Sequence, residues 1–270
     1  MQSRRFIQLT DPHLLGDSAG TLRGVPTLST FEQTLAQARR RDWPVDGLLL
    51  TGDLVQDDPT GYAHFPRLFG PHSVPVLCVP GNHDDAVKMR RALAREPFIV
   101  EGHVDFDPWR IVLLDSSVPG SAGGRLSAQT LADLNDALGS APSQHALVCL
   151  HHHPVPMESR WLDEVGLENA AEFFDVIDRH RNVRAILWGH VHQQFDGVRN
   201  GVRLMATPST CSQFLPRSDD FALDPRPPAY RTLELQPDGS VSTEIVWMDS
   251  CTTGSSSPSS ASSVSAASAA

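Results

Sequence analysis

Cysteine, positive charge and long apolar runs are all scarce in this sequence of 270 residues. The cysteines are only four, Cys78, Cys149, Cys211 and Cys251, too few and too scattered for a disulfide framework. Cys78 and Cys149 also sit inside apolar runs that read as buried strands, so a reducing, cytoplasmic setting is expected. Lys and Arg total 22 against 32 for Asp and Glu, a formal net charge of −10. That sign opposes counterion-release binding to nucleic acid or to an anionic membrane. No run approaches the ~18 apolar residues of a membrane span. The first ten residues, Met1 to Thr10, also lack the apolar stretch of a secretory signal. Neither a nucleic-acid nor a membrane partner is expected.

What is present describes an ordinary globular chain, 40% hydrophobic and 20% charged. A chain this long buries enough core to fold without a structural metal, so any metal would serve chemistry. One catalytic domain over residues 1–250 is expected, followed by a disordered tail over 251–270. Gly254 to Ala270 holds nine serines in seventeen residues, a composition too poor in apolar surface to offset the entropy of ordering it.

Short runs of branched aliphatic residues predict strands at Phe6–Thr10, Gly47–Thr51, Val74–Val79, Ile111–Asp115, Ala146–Leu150 and Ala185–Trp188. Apolar residues at three- and four-residue spacing predict helices over Thr30–Arg41, Ser127–Leu138 and Glu168–His180, the second with Ser127 as N-cap. The alternation gives an α/β fold. Asp196-Gly197, Asn200-Gly201 and Asp238-Gly239 read as hairpin turns, so the sheets are expected to be mixed.

The buried runs end in polar clusters: Asp11-Pro12-His13, Gly52-Asp53, Gly81-Asn82-His83-Asp84, His151-His152-His153 and Gly189-His190-Val191-His192. In open α/β sheets the carboxyl ends of strands line one crevice, so these five clusters can converge. Imidazole, carboxylate and amide oxygen without thiolate suit an open, hydrolytic metal site. Asp11 with His13, and His190 with His192, are two apart and would share a face of an extended segment. The donors exceed what one tetrahedral ion takes, whereas two ions sharing a carboxylate use them all.

Together these blocks resemble the signature of the calcineurin-like metallophosphoesterases. The stretch Leu150 to Pro156, then Trp161-Leu162-Asp163, Ala206 to Cys211 and Arg231 to Leu235 extend the resemblance to the bacterial class III 3',5'-cyclic AMP phosphodiesterases, over about Phe6 to Trp247. The resemblance implies a four-layer sandwich, two mixed β-sheets flanked by helices. It also implies two divalent cations, Fe, Mn or Zn: Asp11, His13 and His192 on one, Asn82, His151 and His190 on the other, and Asp53 bridging. Any of the three adjacent histidines can face the metal from the strand end, and the register is open; His151 is taken as the ligand, with His152 and His153 as supporting or rim packing. His83 is expected to point at phosphate and act as proton donor, with His13, Asn82, His83 and His192 contacting substrate. In many relatives an acid three residues past the bridging aspartate orients this histidine. Gln56 stands there, leaving Asp57 and Asp84 as candidates. Trp161, Phe195 and Phe214 are candidates to stack on a purine, and Cys211 reads as an inert thiol near the pocket.

The activity implied is hydrolysis of 3',5'-cyclic AMP to 5'-AMP by a hydroxide generated at two metals, lowering intracellular cyclic AMP. Asn82 and His83 would stabilise the developing charge, with Asp53 holding the centre together. The alternatives are a less selective phosphodiesterase or phosphomonoesterase, acting on 2',3'-cyclic nucleotides or glycerophosphodiesters, and a non-catalytic nucleotide sensor.

Overall fold

The computed structural model describes residues 2–70 and 74–249. The expected tail at 251–270, with Cys251, lies outside the described residues. Twelve strands form two six-stranded sheets. In chain order they are β1 (Arg4–Leu9), β2 (Gly47–Thr51), β3 (Val76–Val79), β4 (Phe98–Ile99), β5 (Gly102–Phe106), β6 (Trp109–Leu113), β7 (His145–Cys149), β8 (Val183–Trp188), β9 (Phe195–Arg199), β10 (Val202–Ala206), β11 (Ala229–Leu235) and β12 (Val241–Trp247). The first sheet runs β12-β11-β1-β2-β3-β4 and the second β9-β10-β8-β7-β6-β5. Both are mixed: β1 pairs parallel with β2 and antiparallel with β11, and β8 lies parallel between β7 and β10.

Strict side-chain alternation sorts the central strands between layers. Phe6, Leu49, Leu77 and Val79 of the first sheet meet Ile111, Leu113, Leu147, Cys149, Ala185 and Leu187 of the second in one buried cluster. Their neighbours Ile7, Leu9, Leu48, Leu50, Val76 and Cys78 point the other way, onto Leu28, Phe31, Leu35 and Ala38 of helix α1 (Thr27–Arg41). On the far side Val148, Ile186 and Trp188 pack on Leu134 and Leu138 of α3 (Ala128–Gly139) and on Phe173 and Ile177 of α4 (Ala170–Ile177). A short α2 (Ala86–Ala92) follows β3. Helix, sheet, sheet, helix is the four-layer arrangement expected, and burial on both faces is why these strands are continuous apolar runs.

The Ser127 cap holds: its side chain accepts from the Thr130 amide. Asn200-Gly201 and Gly239 turn as expected, with φ of 51°, 81° and 88°. Asp196-Gly197 does not. It lies inside β9, where Asp196 pairs with Met205 and Gly197 with Leu204. Asp196 is drawn into the sheet by Arg203 at 2.9 Å, so tertiary pairing overrides the local turn preference.

Candidate metal centre

The first sheet's β1, β2 and β3 and the second sheet's β7 and β8 all deliver their carboxyl ends to one crevice. The segment leaving β1 runs along the one leaving β2: the Asp11 amide donates to Gly52 O at 3.1 Å and the His13 amide to Asp53 O at 3.0 Å. The His190 amide then donates to the Asp11 carboxylate at 3.1 Å, locking the β8 end onto the β1 end. Gly81 packs so closely on Asp53 that a Cβ would collide with its carboxylate and backbone.

The extended conformation expected for Asp11-x-His13 and His190-x-His192 is absent. Asp11, His13, Asp53, Asp57, His190 and His192 all have φ between 47° and 66°, six of the ten non-glycine residues in the left-handed region among the described residues. Such backbone costs of order 1–3 kcal/mol per residue and persists where surrounding contacts enforce it, which places stored strain at this crevice. The turn, rather than a strand face, aims the paired side chains inward.

Distances among the donors are short. His192 Nε2 lies 3.4 Å from Asp11 Oδ1, His13 Nε2 3.8 Å and His151 Nε2 3.4 Å from Asp53 Oδ2, and His151 Nε2 3.2 Å from Asn82 Oδ1. Asp11, His13 and His192 form one compact donor group; Asp11, Asp53 and His151 form a second, His151, His152 and His190 a third, and His13, Asp53 and the half-exposed His83 a fourth. Backbone carbonyls set the tautomers. His151 Nδ1–H donates to Thr51 O at 2.8 Å and His192 Nδ1–H to Ser212 O at 2.6 Å, so in the neutral rings Nε2 is the lone pair and it faces the carboxylates. His190 is turned around: its Nε2–H donates to Val165 O at 3.1 Å, which frees Nδ1. These carbonyl partners were not readable in the sequence, because a backbone acceptor carries no side-chain signature.

The electrostatics fit cations. Asp11 and Asp53 are buried, and among the described residues only histidines pair with them. Burial would push the Asp11 carboxyl up, but the His192 and His151 imidazoles outweigh it and hold it below the usual range. The same competition, with His151 and His13 opposing burial, holds Asp53 well below. Burial resists charge on His151, yet the Asp53 carboxylate raises it to about 9. Burial takes His13 down to about 4 despite Asp53 and holds His190 well below the ordinary imidazole value. A converging set of anions and bare ring nitrogens, closed to Lys and Arg, is a donor set for divalent metal.

His152 and His153 do not join the carboxylates. His152 Nδ1 meets Ser116 Oγ at 2.8 Å, and His153 stacks on His190 with ring centroids 5.5 Å apart. His83 lies at the rim, its side chain 33% exposed, with Nδ1 2.9 Å from Gln56 Nε2 and 3.1 Å from the Asp57 carboxylate, to which Gln56 Nε2 also donates at 2.8 Å. Asp84, the other candidate partner, is used elsewhere: it accepts from the Leu54, Val55 and Gly81 amides and from Tyr62 Oη, and so fixes the loop. Phe214 stacks on His192 at 3.9 Å and Trp161 packs edge-on to Phe214. Phe195 is remote, its ring 5.5 Å from Trp188 in the helix-side core.

Beneath the crevice a buried polar network joins the sheets. Gln8 Nε2 donates to Thr51 Oγ1 at 2.7 Å and to Trp188 O at 3.0 Å. Thr207 Oγ1 donates to Gln8 Oε1 and accepts from Arg231 Nε at 3.0 Å. The donor-bearing ends of β1, β2 and β8 are thereby tied together.

A sequence model of the calcineurin-like phosphoesterases matches residues 4–194. The chain belongs to that family. Among curated relatives of this calcineurin-like phosphoesterase, it is 42% identical over 243 residues to the 3',5'-cyclic adenosine monophosphate phosphodiesterase CpdA of Haemophilus influenzae, covering 89% of each chain. The CpdA proteins of Pseudomonas aeruginosa and Escherichia coli K12 are 41% and 40% identical, the matches covering about nine-tenths of each chain. Among solved structures the fold is similar to a dimetal phosphatase from Danio rerio, with a TM-score of 0.61 at 16% identity over 87% of this chain and 96% of that one. Family membership implies a dinuclear divalent-metal site, and the donor groups around Asp11 and Asp53 are its candidates here. No helix among the described residues is long and apolar enough to cross a membrane.

Proposed function

We propose that this phosphoesterase hydrolyses 3',5'-cyclic AMP to 5'-AMP. The observation that carries the reading is the enclosed donor set, two carboxylates faced by carbonyl-anchored histidines, in a chain about 40% identical to proteins named as cyclic AMP phosphodiesterases. Asp11, His13 and His192 would hold one cation, Asn82, His151 and His190 the other, with Asp53 shared. Bound there, such ions acidify water and draw charge off phosphate oxygens. Fe, Mn and Zn all accept these ligands.

The chain's own groups do the rest. Hydrolysis adds water oxygen to phosphorus, breaks the P–O3' bond and places one water proton on O3'. His83 stands at the open rim as the donor of that proton, its Nδ1 held by Asp57 so that Nε2 faces outward. His83 and the Asn82 amide supply hydrogen bonds to the departing and equatorial oxygens. His13 and His192 complete the phosphate's surroundings. Residues 1–250 act as one catalytic domain, since β11 and β12, beyond the family match, complete the sheet that carries Asp11 and Asp53. A cytoplasmic setting belongs to the same proposal, supported by the unpaired, buried thiols of Cys78, Cys149 and Cys211.

The test is product analysis. Metal-loaded protein given 3',5'-cyclic AMP, 2',3'-cyclic AMP and glycerophosphodiesters should form 5'-AMP from the first, with little 2'- or 3'-AMP from the second and little glycerol phosphate from the third. Equal turnover of all three would instead establish a general phosphodiesterase, and stoichiometric binding without product would establish a sensor.

A further inference from the structure

The reacting groups open on one side into a cleft of about 710 Å³, within the range that encloses a small organic ligand. One wall runs from Asn82 and His83 into the start of α2, and the other is the loop Ser117–Ala122. The other described cavities are lined by neither Asn82 nor His83.

Both walls are rigid for local reasons. In the loop, the Ser121 amide donates to Val118 O at 3.0 Å, Pro119 follows Val118, and Gly120 has φ of 76°. That is the proline-glycine pattern of a type II turn, whose third residue needs positive φ. On the other wall Asp85 caps α2, accepting from the Lys88 amide at 3.0 Å, and pairs with the Lys88 ammonium at 2.8 Å. At the back the walls are tied together. Arg90 of α2 pairs with Asp115 at 2.8 Å, and Asp115 accepts from Ser117 N at 3.0 Å and Ser117 Oγ at 2.6 Å. The separation of the walls is therefore set by ion pairing outside the donor cluster.

The facing surfaces are apolar where they are open. Val118 and Pro119 stand on the loop, Ala86 and Val87 on the helix, and Val87 is 63% exposed, unusual for a large aliphatic side chain in this protein. Ser117 and Ser121, with the charged Asp57, Asp85 and Lys88, line the same cleft. A cleft lined by Ala86, Val87, Val118 and Pro119 together with polar side chains, opening from the phosphate-facing residues, matches a heteroaromatic ring carried on a sugar. We infer that the nucleoside half of the substrate lies in this cleft, its base between Val118–Pro119 and Ala86–Val87 and its ribose beside His83. The inference rests on the nucleotide substrate proposed above. The rival wall lies beyond His192, where Phe214 and Phe221 pack with Arg23 placed 5.0 Å over Phe221.

Calorimetry on metal-loaded protein separates the two. The probes are 5'-AMP and inorganic phosphate, measured on wild type, Val87→Trp, Val118→Trp and Phe221→Ala, with metal content checked in each. Tryptophan in the slot should raise the Kd of 5'-AMP relative to phosphate by about tenfold or more. Phe221→Ala should leave that ratio within about twofold. Val87 is on the helix surface, so its variant tests the slot even where Val118→Trp fails to fold. An unchanged ratio in the folded slot variants, or a shift in Phe221→Ala alone, would overturn the inference. Failure of wild type to turn over 3',5'-cyclic AMP would count against the proposed reaction, and the Kd ratios would still decide where a nucleoside lies.

Discussion

His13 and His192 face each other through their Nε2 atoms at 3.1 Å. With its Nδ1–H committed to Ser212 O, His192 turns Nε2 towards both His13 and Asp11 Oδ1, the latter 3.4 Å away. His192→Ala is expected to lower metal content from about two ions per chain towards one and to weaken affinity by more than about 10–100-fold. Elemental analysis after desalting checks it; undiminished metal content would remove His192 from the ligand set.

His83 touches a carboxylate and the open cleft but stands outside the most buried donors. His83→Ala should retain both metals and lose about 10²–10⁴ in kcat, the range for removing a general acid. Asp57→Asn should cost less, with kcat reduced and KM little changed, because it alters only how His83 is held. Kinetics with parallel metal analysis separates these outcomes; full activity in His83→Ala would eliminate it as the acid.

In the metal-free protein His151 titrates at about 9, raised by Asp53 against the opposing effect of burial. Imidazolium cannot ligate, so metal binding at pH 7 should expel this proton, and affinity should climb as pH rises towards 9. For the metal-free fold the sign is the reverse. The His151 contribution is fully present below the unfolded imidazole pKa of about 6.5 and is lost as pH rises through 9. Titration calorimetry in buffers of different ionisation enthalpy reads proton release directly, and no buffer dependence would refute it.

Thr207→Val preserves shape but leaves Gln8 Oε1 and Arg231 Nε without their hydroxyl partner in a buried site. The expected cost is about 1–3 kcal/mol, with Tm falling roughly 2–4 °C for each kcal/mol. Thr207→Ser should recover most of the loss. Thermal melts of both variants test the network, and a Thr207→Val protein melting with wild type would show it contributes nothing.

The layers were legible because their strands are buried on both faces, so Gly47–Thr51 or Ala185–Trp188 reads as a strand without help from neighbours. One edge strand was not. Gly102–Phe106 is largely exposed and exists through pairing with Trp109–Leu113, which no local pattern announces. At the centre, residue types and order pointed to the converging clusters, but the left-handed turns at Asp11, His13, His190 and His192 were not read, because Asp and His enter that region more often than most residues without requiring it. The choice of Asp57 over Asp84 beside His83 is likewise tertiary: Asp84 is taken by three amides and a tyrosine hydroxyl.

The central claim, two cations held by one enclosed donor set, is tested most directly by stripping the protein with chelator and restoring Mn²⁺ stepwise while following 5'-AMP release. No turnover is expected without metal, followed by a rise that saturates at two ions per chain. Turnover in the stripped protein, or saturation at a single ion, would contradict it.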